Sequence, residues 1–282
     1  MLRPIISLTT DFGLRDPYVA EMKAVIFGIC PEANIVDISH EIAEYDVRMG
    51  AFTLASAAPY FPEGAIHVAV VDPGVGTERQ PIIIQTSKGY YVGPDNGVLA
   101  LAANNESGPK SIHRITNRKL MLPHVSNTFH GRDIFAPAAA HLANGTSPNA
   151  FGPKITKIAA PTYAQVTKRQ DALVGEVIHI DTFGNIITNY QPKHLKLIQS
   201  KPQINIKIGN TQLRLKLCKT YTEAQPHKPL ALIGSHNFLE ISLNQDNAAK
   251  TYNTKTGDKT TIQLSQRTNN AKTKRSSTSA SV

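Results

Sequence analysis

The sequence predicts an α/β protein in two parts: an N-terminal α/β/α sandwich with a mostly parallel sheet and a C-terminal antiparallel β-barrel domain. Over residues 1–160, short apolar segments rich in Ile and Val alternate with helical patterns, which is typical of a parallel sheet covered on both faces. Beyond residue 172, short alternating segments are separated by Gly-containing turns. This second pattern indicates an antiparallel sheet or a small barrel.

The elements of the first half follow from local patterns. The first strand is expected at residues 4–10, and the next helix should begin with Asp16 as its N-cap and Pro17 at its first position. The apolar side chains expected on one face of this helix are Tyr18, Met22, Val25 and Ile26. The later predicted elements are strands at 34–40, 65–74 and 111–117, helices at 46–61, 97–105 and 133–145, and a hairpin around 87–89.

The second half is predicted from the strand-like segments 172–190, 203–221, 230–245 and 259–264. The turn sequence GNTQ after INIKI is a hairpin signal. From these shifts in pattern we predict an N-terminal α/β domain at residues 1–160, a linker at 161–172, the barrel domain at 173–265 and a disordered basic tail at 266–282.

Composition excludes several classes of protein. The chain has 282 residues, of which 41% are hydrophobic and 18% charged, so a sizeable core is expected and general disorder is excluded. No apolar segment approaches the roughly 18 residues of a membrane span, and the first residues lack the layout of a signal peptide. Two cysteines, Cys30 and Cys218, cannot form a disulfide framework. We therefore expect a cytoplasmic protein without a membrane partner.

Positive charge is concentrated in the second half. Residues 1–160 carry 13 Lys or Arg and 14 Asp or Glu, whereas residues 161–282 carry 17 and 7. A basic face could bind nucleic acid, and such binding would weaken strongly with salt. Because no nucleic-acid motif accompanies the charge, we interpret it as a solvated lysine-rich surface and expect no nucleic-acid partner. A non-enzymatic nucleic-acid-binding protein remains an alternative.

Polar residues follow the first three predicted strands. Asp11 in TTDFG follows the first strand, His40 closes the second and Asp72 closes the third. Ligands of open α/β sheets bind outside the carboxyl ends of the strands, so we expect these three side chains to face one crevice. An acid such as Asp11 can accept hydrogen bonds from vicinal ribose hydroxyls, although a turn residue would look the same.

Two further motifs could supply reactive groups. In VVDPGVGTER, Arg79 can fold back onto Asp72, and a carboxylate beside an arginine stays ionised and can orient water. The same pair could also serve only to pin a loop. In NTFHGRD, His130 precedes a helix and could act as a general base or position water, whereas Arg132 and Asp133 are expected to cap the helix or to pair locally.

Two turns contain an acid and an amide. Asp181 and Asn185 flank the Phe-Gly turn of DTFGN, where they could recognise an ammonium group and a base edge, or could simply form a hairpin corner. Asp95 and Asn96 in GPDNG are interpreted as a tight turn.

In this order, TTDFG, VDPGVGTER, TFHGRD and DTFGN resemble the motifs of the S-adenosyl-L-methionine (SAM) hydroxide adenosyltransferase family, also called SAM hydrolases. Fluorinase and chlorinase are halide-using relatives of this family. The resemblance covers roughly residues 3–265 and implies an N-terminal α/β domain followed by a β-barrel. It also implies a homotrimer, with each active site between the N-terminal domain of one subunit and the C-terminal domain of its neighbour.

The resemblance also implies roles for individual residues. Asp72, Arg79 and His130 would be the catalytic residues that orient water and partly deprotonate it, with Arg79 fixing Asp72. Asp11 would bind the ribose hydroxyls, and Tyr45 in HEIAEYDV would lie against the sugar.

The remaining implied contacts come from the second half. Asp181 would bind the methionine amino group, Asn185 would bind adenine and Ser235 in IGSHNFLEI would contact the methionine carboxylate. His236 follows Ser235 at a position where the halide-using relatives have arginine.

Two positions differ from the halogenases in a way that favours hydrolysis. Asp72 replaces a tyrosine of fluorinase, and Gly131 replaces a serine that helps to bind fluoride. An anionic Asp72 would repel a halide and accept a hydrogen bond from water. The implied reaction is attack of water or hydroxide on C5′ of SAM, which gives adenosine and L-methionine. SAM is the substrate, and neither a cofactor nor a metal is needed.

A metal-dependent nucleoside or phosphate-ester hydrolase is a second alternative. Asp-containing loops after strands, as in TTDFGLRD, also suit Mg²⁺ or Ca²⁺. That alternative needs clustered carboxylates, and Asp11 and Asp16 are the acids that this loop offers. A chelator would distinguish the two hydrolases.

Overall fold

A computed structural model describes residues 3–105, 108–198 and 203–264, which form two sheets. The basic tail predicted at 266–282 lies outside the described residues. The fold class is confirmed, with an α/β first half and a closed β-barrel in the second half.

The first sheet contains six strands in the order β2-β1-β3-β5-β4-β6. Among these strands β4 runs antiparallel to both its neighbours and the other pairs are parallel, so the predicted hairpin is the β4–β5 pair. The strands are β1 Ile5–Thr10, β2 Asn34–Ser39, β3 Ala65–Val70, β4 Pro81–Gln85, β5 Gly89–Pro94 and β6 Ser111–Arg114.

Helices cover both faces of this sheet. They are α1 Tyr18–Ile29, α2 Val47–Ala57, α3 Ala100–Asn105 and α4 Ala136–Ala143, the last preceded by a π-helix at Gly131–Phe135. Helices α2 and α3 pack on one face against Ile82 and Ile84, whereas α1 and α4 pack on the other against Ile83. Alternate residues of β4 therefore enter two separate cores, as expected for a sheet buried on both sides.

The second sheet closes into a barrel of seven strands because β14 pairs with both β10 and β8. Its pairs are antiparallel except β11–β12, which is parallel and departs from the predicted antiparallel arrangement. The strands are β7 Thr167–Arg169, β8 Ala172–Ile180, β9 Ile186–Thr188, β10 Gln203–Ile208, β11 Thr211–Leu217, β12 Pro229–Ile233, β13 Leu239–Leu243 and β14 Lys259–Gln263. Strand β7 pairs with β8 outside the closed ring.

Short helices connect the strands. The two α-helical turns are α5 Pro192–Leu195 and α6 Ala248–Thr251. Short 3-10 helices lie at Ala58–Tyr60, Arg118–Leu120, Pro148–Phe151, Thr162–Ala164, Lys196–Ile198 and Tyr221–Glu223. Among the described residues, none of these helices has the length and hydropathy that crossing a membrane requires.

The structure corrects the predicted start of α1. Pro17, rather than Asp16, occupies the N-cap position, and no side chain caps this end of the helix. Val19 is buried, whereas Tyr18 is 45% exposed and makes edge-to-face ring contacts with Phe12 and Phe129. Tyr18 is therefore not part of the helix core, because its neighbours are aromatic loop residues instead of the sheet.

Several other predicted elements are shorter than expected, among them a strand and a helix beside the candidate site. The strand predicted at 65–74 ends at Val70, and α2 ends at Ala57, where the chain tightens into a 3-10 turn containing Pro59. Asp46 caps α2 by accepting a hydrogen bond from the Met49 amide. The early end of β3 leaves Asp72 in a loop beyond the edge of the sheet.

The two halves are joined by a buried ion cluster. Glu176 on β8 is 1% exposed and accepts hydrogen bonds from Arg48 Nη2 at 2.8 Å, Lys259 Nζ at 2.6 Å and Thr162 Oγ1 at 2.7 Å. Arg48 belongs to α2, so this carboxylate connects the first sheet's helix layer with the barrel. The ring of Phe52, one turn along α2, stacks on His179 of β8.

Candidate active site

A cavity of about 340 Å³ lies at the carboxyl ends of β1 and β3. Its lining includes Asp11 after β1, Asp72 after β3, and His130 at the start of the π-helix. Tyr45, from the loop before α2, lines the same cavity. The structure thus brings together four of the predicted site residues at the edge of the sheet where ligands of such folds bind.

Arg79 links Asp72 to His130. Its Nε donates to Asp72 Oδ1 at 3.0 Å and its Nη2 to Asp72 Oδ2, so the pair is bidentate. Nη2 also lies 2.6 Å from Nδ1 of His130. Gly76, at φ +77°, allows the intervening loop to turn back, and an added Cβ would collide with the Asn127 carbonyl. The predicted fold-back of Arg79 onto Asp72 is confirmed.

His130 is held as a neutral imidazole with a fixed tautomer. Burial lowers the pKa of His130, and the positive charge of Arg79 lowers it further. Because the Arg79 guanidinium can only donate, Nδ1 must accept and the ring proton lies on Nε2. The negative charges of Asp72 and Asp133 and a hydrogen bond to the Ser126 backbone act in the opposite direction on this pKa without reversing its shift. Nδ1 is therefore occupied and is not free to remove a proton from water.

Asp11 positions Tyr45. The Asp11 Oδ2 atom accepts a hydrogen bond of 2.9 Å from the Tyr45 amide, and Tyr45 has a left-handed backbone with φ +64°. The Tyr45 side chain is 68% exposed and borders the cavity. Burial raises the pKa of Asp11, while the Tyr45 hydrogen bond partly opposes this shift. Asp11 thus stabilises the Tyr45 loop through its hydrogen bond and also lines the cavity.

His40 does not face this cavity, so the expectation for it is wrong. Its Nδ1 is 2.8 Å from Thr10 Oγ1, and its Nε2 is 3.1 Å from Asp37 Oδ1. The ring is buried at the end of an edge strand, where the side chains of Thr10 and Asp37 supply its partners.

Other polar residues of the motifs have structural contacts. Arg132 pairs with Asp133 at 2.7 Å and with Glu21 at 2.8 Å, which confirms a local pairing. Asn96 Oδ1 accepts the Val98 amide at 3.1 Å, as expected of a turn, while Asp95 accepts the distant Ala159 amide and Asn96 donates to the Val71 carbonyl.

A second and larger cavity, of about 830 Å³, lies on the outer face of the barrel, where Phe52 of α2 also lines it. Asp181, Asn185 and Ser235 line it together. Asp181 Oδ1 accepts the amides of Phe183 and Asn185, and its Oδ2 accepts Asn185 Nδ2 at 2.9 Å. Asp181 and Asn185 therefore form a hairpin corner and also line the cavity, so both alternatives predicted for this turn agree with its structure.

Two residues of this second cavity, Glu240 and Tyr221, were not predicted from the sequence. Glu240 could have been found from the pattern of β13, where it and Ser242 alternate with apolar residues and so share one face. Nothing in the sequence around Tyr221 identifies its contact with Glu240.

The predicted site is divided between the two cavities within one chain. Asp11, Tyr45, Asp72 and His130 line the first, whereas Asp181, Asn185 and Ser235 line the second; no described residue lines both. Within residues 3–105, 108–198 and 203–264, no three His, Cys, Asp or Glu side chains form a group that could bind a metal ion.

Comparison with known proteins agrees with this architecture. Residues 6–152 match the SAM hydroxide adenosyltransferase N-terminal domain, and residues 175–261 match the C-terminal domain of the same family. A solved structure of a conserved protein from Thermotoga maritima superposes with a TM-score of 0.79 at 36% identity, covering 91% of this chain and 99% of that one.

Named relatives are similar over nearly their whole length. The (R)-S-adenosyl-L-methionine hydrolase of Thermus thermophilus is 37% identical, covering 91% of this chain and 98% of the relative. The hydrolase of the same name from Methanocaldococcus jannaschii is 40% identical over 88% of this chain and 92% of the relative. The fluorinase of an Actinoplanes species is 28% identical over 92% of this chain and 97% of the relative. The chain described here belongs to the SAM hydroxide adenosyltransferase family.

Proposed function

We propose that this protein hydrolyses SAM to adenosine and L-methionine. The observation that carries the proposal is the Asp72–Arg79–His130 arrangement beside Asp11 and Tyr45 in one cavity. The relatives named as (R)-S-adenosyl-L-methionine hydrolases, at 37% and 40% identity, support the same substrate and reaction.

The proposed reaction is a direct displacement. The oxygen of water or hydroxide forms a bond to C5′, the C5′–S bond breaks, and its electron pair remains on sulfur. The leaving group is a neutral thioether, so no general acid is required, and one proton of the water is released to solvent. The protein's task is alignment and desolvation of the nucleophile, which can lower the barrier by several kcal/mol.

The three linked side chains divide this task. Asp72 accepts a hydrogen bond from the attacking water, because each of its oxygens retains a lone pair after binding Arg79. Arg79 keeps Asp72 in place and its positive charge favours hydroxide character in the nucleophile. His130 fixes the guanidinium through Nδ1 and serves as a positioning residue. SAM is the substrate, and the proposed mechanism needs no metal or cofactor.

We also propose that the complete site forms between subunits of a homotrimer. The residues expected to bind ribose and those expected to bind the amino acid line two different cavities of one chain, so a neighbouring subunit can bring them together. Sedimentation equilibrium should give the mass of three chains, and a monomer with full activity would refute this arrangement. A cytoplasmic location remains part of the proposal.

The reaction is tested by incubating the pure protein with SAM in ¹⁸O-water in the presence of EDTA. We expect methionine and adenosine with ¹⁸O at the 5′ oxygen, as read by mass spectrometry. Adenosine that forms only when Mg²⁺ or Ca²⁺ is restored would favour the metal-dependent hydrolase. Absence of adenosine under both conditions would refute SAM hydrolysis.

Replacing Asp11 should weaken nucleoside binding. Asp11→Ala removes the carboxylate proposed to bind the ribose hydroxyls, and we expect adenosine to bind roughly tenfold to hundredfold more weakly, because hydrogen bonds to charged groups contribute about 1.5–3 kcal/mol. Calorimetry with 2′,3′-dideoxyadenosine is the control, since this ligand lacks both hydroxyls and should bind equally to both proteins. Unchanged adenosine affinity would mean that Asp11 does not bind the ribose and that its role is confined to the contact with Tyr45.

Activity should fall in acid through His130. The pKa of His130 lies below its ordinary value of about 6.5, so the ring is neutral above that pH and gains a proton only below it. Protonated His130 cannot accept from Arg79, and kcat/KM should therefore be level near pH 7 to 8 and decline on acidification. His130→Asn retains an acceptor but does not titrate, so its profile should lack this decline. An identical decline in that variant would exclude His130 as its origin.

A further inference from the structure

Glu240 is a buried carboxylate in the wall of the barrel cavity, and none of the implied family roles includes it. The residue lies on β13 and is 7% exposed. Two hydroxyl groups donate to the same oxygen: Ser242 Oγ lies 2.8 Å from Oε1, and the Tyr221 hydroxyl also contacts Oε1. These contacts fix the orientation of the carboxylate.

The second oxygen of Glu240 is left for a ligand. Within the described part of the chain, no group donates a hydrogen bond to Oε2 and no Lys or Arg forms a salt bridge with this carboxylate. Gly234 keeps the space beside Oε2 clear, because a Cβ added there would lie 2.7 Å from this oxygen. A carboxylate of a largely buried residue whose second oxygen has no protein donor favours a ligand that donates hydrogen bonds and carries positive charge.

The position of Glu240 identifies which end of the ligand it meets. Gly234 precedes Ser235, the residue expected at the methionine carboxylate. Burial raises the pKa of Tyr221, and its hydrogen bond to Glu240 and the negative charges of Glu240 and Asp181 raise it further, so both carboxylates act on the same tyrosine. Asp181 already accepts three hydrogen bonds within its turn, which leaves Glu240 Oε2 as the less committed acceptor.

We propose that Glu240, together with Asp181, binds the α-ammonium group of SAM and so determines specificity for a sulfonium that carries an amino acid. This inference rests on the proposed function, because it takes SAM as the ligand of the cavity. A primary ammonium has three donors, enough for one bond to each carboxylate, and bonds between charged partners are stronger than those between neutral groups.

The test compares SAM with S-adenosyl-4-(methylthio)butanoate, which keeps the sulfonium and the carboxylate but lacks the amino group. Calorimetry gives the affinity of each ligand, and adenosine release gives kcat/KM. Wild type should prefer SAM by roughly tenfold to hundredfold, the loss expected for a charged hydrogen bond. In Glu240→Gln that preference should fall several-fold through weaker SAM binding, and the bond that Asp181 still accepts should retain the remainder.

Two more variants make the result specific. Glu223→Gln removes the same charge from a carboxylate that lies outside the cavity and pairs with Lys216, so it should keep the wild-type preference. Gly234→Ala leaves the charge in place but presses on Oε2, and it should lower the preference for SAM as Glu240→Gln does. Thermal unfolding verifies that each variant is folded.

Several outcomes would overturn the proposal. The first is that Glu240→Gln weakens the binding of SAM and of the analogue without the amino group equally, and the second is that it leaves the preference for SAM over that analogue unchanged. The third is that Glu240→Gln instead loses discrimination between SAM and its 6-oxopurine analogue. Wild type that releases no adenosine would refute the proposed function, whereas the calorimetric comparison would still show whether Glu240 meets an ammonium group. The two failures are thus distinguishable.

Discussion

Replacement of Asp72 by alanine should lower the rate of adenosine formation by about 10²–10⁴-fold, the range in which positioned proton-accepting groups contribute. The affinity for SAM should change by less than about threefold, because the carboxylate meets the attacking water and not the bound substrate. Single-turnover rates measured at saturating SAM, with affinity from calorimetry, separate these two quantities.

Asp72→Asn is the matched variant for this prediction. The amide keeps the size of the side chain and one oxygen acceptor, but it removes the negative charge that pairs with the Arg79 guanidinium. We expect its rate to lie between those of wild type and Asp72→Ala. Turnover retained at the wild-type rate in Asp72→Ala would remove Asp72 from the mechanism.

Replacement of Glu176 by alanine should lower the free energy of unfolding by about 3 kcal/mol, the lower end of the range for breaking a buried ion pair. The lower end applies because Lys259 and part of Arg48 can reach solvent once their common partner is removed. Urea titration measures the loss. Glu32→Ala is the control, since the Arg3–Glu32 pair is exposed and should contribute less than about 1 kcal/mol.

The same residue predicts how stability depends on pH. Burial alone would raise the pKa of Glu176, but hydrogen bonds from Lys259 and Thr162 and the charge of Arg48 outweigh it and lower the pKa. A lowered pKa in the folded state means that the stabilisation is complete above the ordinary carboxyl pKa of about 4.3 and is lost as pH falls through the folded value. The difference in stability between wild type and Glu176→Ala should therefore shrink below pH ~4. A constant difference across that range would contradict this assignment.

Periodicity and motif order were enough to predict the layers of the fold and the closeness of Asp72 to Arg79. Both depend on short stretches of chain: a strand that reaches the sheet edge, followed by a glycine loop that turns back. The parallel β11–β12 pair could not be predicted in this way, because either orientation places the same apolar residues in the core. Local alternation contains no information about the direction of a neighbouring strand.

Residues whose contacts come from distant segments were harder to predict. His40 ends a strand as Asp11 and Asp72 do, yet its two nitrogens find partners on Thr10 and Asp37 and the ring turns away from the cavity. The bond between Asp11 and the Tyr45 amide joins residues 34 positions apart, and the sequence alone does not reveal it. Glu240 is a similar case, because its proposed role in ligand binding depends on the space beside Gly234.

The closing pair of the barrel imposes an order on folding during synthesis. The last strand of the first sheet is Ser111–Arg114 and its last covering helix ends at Ala143, so this layer can assemble while the rest of the chain is still being made. Strand β8 can pair early with β7 and β9, but it cannot pair with β14 until Lys259–Gln263 has been synthesised, several seconds later at ordinary rates of translation. During that interval the edge of β8 that will pair with β14 is open. Arg48 and Phe52 of the preformed α2 provide a surface against which β8 can pack.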